Sequence, residues 1–150
     1  MKRTLIAALA VTIAGAAASF ADGHKSPVPD GASIYFIGLA DGDTVASPVT
    51  VRFGLSGMGV APAGASDFDK VGHHHLLIDR APFGEGADGA EEWEFGIAND
   101  DNNRHFGGGQ TEVTLDLAPG THTLQMVLGN HGHVPFGPEL ATDQITITVE

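Results

Sequence analysis

Eight histidines and no cysteine in 150 residues make imidazole the side chain with most chemical potential here. Beyond residue 72 they fall at His73-His74-His75, at His105, at His122, and at His131 with His133. Neutral ring nitrogens suit Zn²⁺ and Cu²⁺, and the absence of cysteine removes thiolate sites from consideration. Along an extended segment alternate residues share a face, so His73 and His75 point one way and His74 the other. Leu76 and Ile78 share the parity of His74. If they face the core, His73 and His75 are the open pair and His74 is a reserve ligand. His131 and His133 repeat the spacing of two. The candidate metal ligands are therefore His73, His75, His105, His131 and His133. Together they over-supply a four-coordinate ion, so one or two of them are second-shell groups or spectators. Glu112 is the nearby carboxylate that would orient an imidazole from behind. Two other readings stand beside the metal site: a hydrogen-bonded histidine network that stiffens loops, and a pH-sensitive surface.

The elements that must position these residues are short strands. Ser33 to Ile37 is aromatic and β-branched, and Val49 to Leu55 alternates Val, Val, Phe and Leu. His74 to Asp79 is a compact apolar run, and Glu92 to Ile97 is a weaker segment. Thr111 to Leu117, His122 to Leu128 and Gln144 to Val149 alternate again. No stretch repeats apolar residues at three and four. Seven short strands with turn residues between them predict an all-β fold, an immunoglobulin-like β-sandwich. Two long connections, Gly57 to Gly72 and Arg80 to Gln110, are functional or mobile loops on this reading. The second is acidic from Glu85 to Glu94 and then reads Asn99-Asp-Asp-Asn-Asn103.

Topology then sorts the histidines. In an up-and-down sandwich the start of strand three, the start of strand five and the end of strand six lie at one end. His73 to His75, His105, and His131 with His133 sit at those three places, so they converge. A fourth strand near Glu92 to Ile97 is required for this convergence; without it His105 moves to the opposite end. His122, at the start of strand six, falls at the other end. Its context, Pro119-Gly120-Thr121-His122-Thr123-Leu124, is similar to the turn where immunoglobulin-like domains place a tyrosine that bonds back to the chain. His122 is read as a buried structural histidine in that role.

The first residues carry an address. Lys2 and Arg3 precede an apolar run from Leu5 to Ala18, and Ser19-Phe20-Ala21 supplies small residues for cleavage after Ala21. The apolar run is shorter than the ~20 residues a spanning helix needs. Residues 1–21 are thus expected to be a signal peptide, 22–32 an N-terminal tail and 33–150 one domain, periplasmic or secreted and not membrane-bound after cleavage. Removing Lys2 and Arg3 leaves 5 basic against 19 acidic residues, a net charge of about −14. That balance excludes nucleic-acid binding, which needs a basic face. Cleavage after Ala21 would also expose Asp22-Gly23-His24, whose His24 would wrap Cu²⁺ in a square plane with backbone nitrogens, a possible separate site. No nucleophile elbow or other catalytic motif marks an enzyme, so the reading leans away from catalysis.

Four blocks carry a resemblance. Gly57-Met-Gly-Val-Ala-Pro-Ala-Gly64, Gly72-His-His-His-Leu-Leu-Ile-Asp79, His105-Phe-Gly-Gly-Gly-Gln-Thr-Glu112 and Pro119-Gly-Thr-His-Thr-Leu-Gln125 resemble the signature blocks of the bacterial family called domain of unknown function 4399. The resemblance spans about Gly31 to Glu150 and implies a small exported domain without an assigned activity. The chain departs from the pattern at Phe136, where a second histidine is expected. The combined expectation is an exported metal-binding domain that carries or buffers Cu or Zn through its histidine cluster. A metal-independent adhesion or assembly module is the alternative, and a zinc or copper metalloenzyme the third reading.

Overall fold

The computed structural model describes residues 26–65, 70–86 and 89–150. The predicted signal peptide and His24 lie outside the described residues. The chain runs through β1 (Ser33–Ile37), β2 (Thr44–Val45), β3 (Val49–Ser56), β4 (Gly59–Val60), β5 (Val71–Ile78), a helical turn α1 (Gly89–Glu92), β6 (Asn103–His105), β7 (Glu112–Leu115), β8 (Gly120–Gly129) and β9 (Ile145–Val149). These strands form two sheets packed as a sandwich. One has the order β1-β3-β7. The other runs β2-β9-β8-β5-β4, with β6 also on β5.

Period-two patterning accounts for the core. In β3, Val49, Val51 and Phe53 are buried while Thr50 and Arg52 are exposed, and β9 buries Ile145, Ile147 and Val149 in the same way. Leu76 and Ile78 of β5 and Leu124, Met126 and Leu128 of β8 lie in the same sheet as β9 and complete the core against β3. Burying each such side chain is worth about 1.5–3 kcal/mol, so this layer outweighs any polar contact at the surface. Residues 26–32, read from sequence as part of the tail, lie against the sandwich. Val28 and Ala32 pack on the core, and Asn130 Nδ2 donates to Ser26 Oγ.

β5 is buried along its whole length from Gly72 to Ile78 because both of its faces are covered. The inner face meets the three-stranded sheet. The outer face is covered by the segment after Arg80, where Leu77, Val127, Phe83 and Ile97 form a second, small cluster. Buried Gln125 anchors that segment. Its Oε1 accepts from Phe83 N at 2.7 Å, and its Nε2 donates to Thr142 O at 2.9 Å.

The strand expected at Glu92 to Ile97 is absent. That stretch leaves α1 and passes through turns, held by an Arg80–Glu92 ion pair, by Gly84 N donating to Glu92, and by Trp93 edge-on to Phe83 with ring centres 4.7 Å apart. Those side-chain ties outweigh a weak strand pattern. The missing reversal comes instead from β6. Its three residues pair antiparallel with β5 in the register His75↔His105, Leu76↔Arg104 and Leu77↔Asn103. His105 therefore stays at the end of the sandwich where the other histidines gather.

Candidate metal site

Three chain segments bring imidazoles together on the outer face of the six-stranded sheet. β5 supplies His73 and His75, two residues apart in mid-sheet, with β8 along one side in the register His73↔Gly129 and His75↔Val127. β6 supplies His105 directly beside His75. The turn after β8 supplies His133. One ring nitrogen from each of these four residues lies within 4.8 Å of those of the other three. His73 and His75 are 1% and 0% exposed, while His105 and His133 are half-buried. No carboxylate of the described residues joins the group.

The nitrogens do not satisfy one another as hydrogen bonds. His75 Nε2 lies 3.1 Å and His133 Nδ1 3.3 Å from the same atom, His73 Nε2. An imidazole nitrogen carries either one proton or one lone pair, so one of those contacts is left poorly served. His75 Nδ1 and His105 Nε2 are buried with no partner among the described residues. Buried polar atoms without partners cost about 1–3 kcal/mol each. A cation at the shared centre would draw on the converging nitrogens, one from each ring.

Burial sets the protonation. It pushes His73 down to about 4, helped by the His105 and His133 rings, and His75 further, to about 2, helped by His73 and His105. Burial also lowers His105, with His133 adding to the effect. Neutral rings are the form that binds metal, so His73, His75 and His105 are held in the binding form at neutral pH.

Two glycines make room for the rings. A Cβ at residue 129 would stand 2.9 Å from His75 Nε2, and one at residue 107 only 2.3 Å from His105 Cε1. The Gly107-Gly108-Gly109 run thus lets the backbone pass beside His105.

The other candidates lie elsewhere. His131 is exposed and outside the group of four, and its carbonyl accepts from Gly64 N at 3.4 Å. His74 faces the core as its parity requires, 5.1 Å from the Phe53 ring and beside the Gln110 backbone. Glu112 does not back an imidazole: it sits exposed on β7 of the other sheet, 3.4 Å from Arg52. His122 sits at the far end of β8, where Nε2 meets Ala118 O at 2.8 Å and Nδ1 meets Asp79 Oδ2 at 2.7 Å. The bond back to a carbonyl four residues earlier matches the structural role read from its context.

Asn130 is the positioning residue that sequence reasoning missed. It is buried, its Oδ1 accepts from Gly132 N at 2.9 Å and Val134 N at 3.0 Å, and its carbonyl accepts from His133 N. This turn holds His133 at φ 67° and aims its ring at β5. The available signal was the side chain itself, since Asn bonding to backbone two residues on is a turn device. His133 O in turn accepts from Ile97 N at 2.9 Å, tying the covering segment to the site.

Neither a curated protein nor a solved structure matches the chain. At the family level, residues 51–150 match the family described as a domain of unknown function (DUF4399), a span that holds all four clustered histidines. The chain belongs to that family.

Proposed function

We propose that this protein binds a transition-metal ion through His73, His75, His105 and His133, and that it carries or buffers Zn or Cu outside the cytoplasm after loss of residues 1–21. The observation that carries the reading is the convergence of four imidazoles from three separate segments within 4.8 Å, with no carboxylate among them. Nitrogen-only donors suit Zn and Cu and disfavour Ca²⁺ and Mg²⁺, which take oxygen. His131 is left at the rim, and any copper site at His24 is separate. The two buried ligands are anchored in paired strands and the two half-buried ones lie near solvent, an order that suits capture and release.

The test is metal content of the mature, untagged protein, followed by melts with and without Zn²⁺ and Cu²⁺. An ion that binds only the folded state adds about 4 kcal/mol at a thousand-fold excess over its dissociation constant. Replacing His75 and His105 together by Ala should remove that gain and leave a folded domain. A double variant that binds like the parent would refute the site.

A second reading, a metal-independent adhesion or assembly module, is favoured by one feature. Arg80, Phe83, Glu91, Phe95 and Ile97 line a recess of about 220 Å³ on the covering segment, and Phe95 is 65% exposed. The recess is smaller than the roughly 300–1,000 Å³ of ordinary ligand pockets, so it would take one side chain of a partner. On that reading removal of metal leaves stability unchanged.

A further inference from the structure

The arrangement of the four rings also bears on which ion the site accepts, an inference that rests on the metal-binding reading above. Four rings define six centre-to-centre separations. His105–His133 is 4.5 Å, His73–His75 and His73–His105 are 4.9 Å, His73–His133 and His75–His105 are 5.0 Å, and His75–His133 is 6.0 Å. Around a tetrahedral ion with metal–nitrogen bonds of about 2.05 Å, all six separations would be about 5.2 Å. Around a square-planar ion four would be about 4.5 Å and two, the diagonals, about 6.4 Å.

Diagonals come in complementary pairs, which makes the comparison decisive. If His75 and His133 were opposite corners, His73 and His105 would be the other two and would stand equally far apart. They are 4.9 Å apart, no farther than neighbours. The remaining two divisions of the four rings give 4.9 with 4.5 Å and 5.0 with 5.0 Å, with no long diagonal in either. The donor atoms agree. The nitrogen separations of 3.1 and 3.3 Å exceed the ~2.8 Å of adjacent donors in a square plane and approach the ~3.3 Å edge of a tetrahedron. His73 and His75 project from a strand whose place is fixed by the β5–β8 register.

The geometry points to a site for a closed-shell d¹⁰ ion that accepts a tetrahedron, Zn²⁺ or Cu⁺, and against Cu²⁺, which prefers a tetragonal plane. Cu²⁺ ordinarily outranks Zn²⁺ at nitrogen sites. Here the cage opposes that order.

The experiment uses the mature chain carrying His24→Ala, so that an N-terminal copper site contributes nothing. Zn²⁺ and Cu²⁺ are titrated in competition with chelators of known affinity, Cu⁺ is titrated anaerobically against a Cu⁺ chelator, and Co²⁺ serves as an optical probe of coordination. The inference expects the intense visible bands of tetrahedral Co²⁺ and a Cu²⁺ affinity no more than about tenfold above that for Zn²⁺. The Zn²⁺ and Cu⁺ arms then tell which d¹⁰ ion is held more tightly. An axial four-nitrogen Cu²⁺ spectrum, with Cu²⁺ at least 100-fold tighter than Zn²⁺, would overturn the tetrahedral assignment and leave the metal site standing. Failure of all four ions to bind would overturn the metal-binding reading itself.

Discussion

Metal-free protein should lose its fold in mild acid, and the loss should trace to His73, His74 and His75. Burial holds His73 and His74 at about 4 and His75 at about 2, against 6.5 in the unfolded chain. Above pH 6.5 both states are neutral and stability does not depend on these groups. Below 6.5 the unfolded chain takes up protons that the folded chain refuses, so stability falls as the pH falls toward 4. At pH 5 the linkage costs about 2 kcal/mol for each of the three. Acting independently they would remove roughly 6 kcal/mol, comparable with the whole stability of about 5–15 kcal/mol of a small domain. Denaturant midpoints of metal-free protein between pH 8 and 4 should therefore owe no pH dependence to these three groups above pH 7 and fall steeply below 6.5. Bound metal holds the cluster nitrogens deprotonated, so loaded protein should keep its midpoint to lower pH. A metal-free midpoint that stays constant down to pH 4.5 would refute the reasoning. So would folded-state NMR titrations in which His73, His74 and His75 take up protons near 6.5.

Other perturbations separate the site from its scaffold. Gly129→Ala puts a methyl 2.9 Å from His75 Nε2. It should weaken metal binding by about 10–100-fold, the range for disturbing groups that orient a ligand, with folding checked by circular dichroism. His74→Leu removes a poorly satisfied polar ring from the core at a residue that is 0% exposed. It should stabilise metal-free protein by about 1–3 kcal/mol in urea titrations and leave metal affinity unchanged. His122 sits between two acceptors, Ala118 O and the Asp79 carboxylate, so only the imidazolium donates to both. The Ala118 carbonyl and then Asp79 raise its pKa. Its contribution is present below about 6.5 and is lost as the pH rises through the folded value. His122→Gln should accordingly flatten the alkaline side of the stability profile measured by thermal melts.

Much of this molecule is legible along the chain. Val49, Val51 and Phe53, and Ile145, Ile147 and Val149, alternate because each strand has one wet face and one dry one. The same parity sends His74 inward and His73 with His75 outward, since a strand has no other way to place neighbours. β6 was not legible. Three residues cannot show a period, and Asn103–His105 extends only because an edge of β5 is open beside it. Glu92 to Ile97 misled for the opposite reason: its side chains are spent on Arg80, Gly84 and Phe83.

The candidate site divides in the same way. Residue type and spacing alone determined that imidazoles would be the donors, that His73 and His75 would face together, and that His122 would stand apart. Those are consequences of local backbone geometry and composition. Tertiary structure decided the rest. It chose His133 over His131, because the Asn130 turn breaks strand alternation and holds residue 133 at positive φ. It removed Glu112 to the opposite sheet, and it set ring separations in which no two complementary pairs are both long, which distinguishes a tetrahedron from a square. Those outcomes depend on distances between segments far apart in sequence, and such distances exist only once the two sheets have packed.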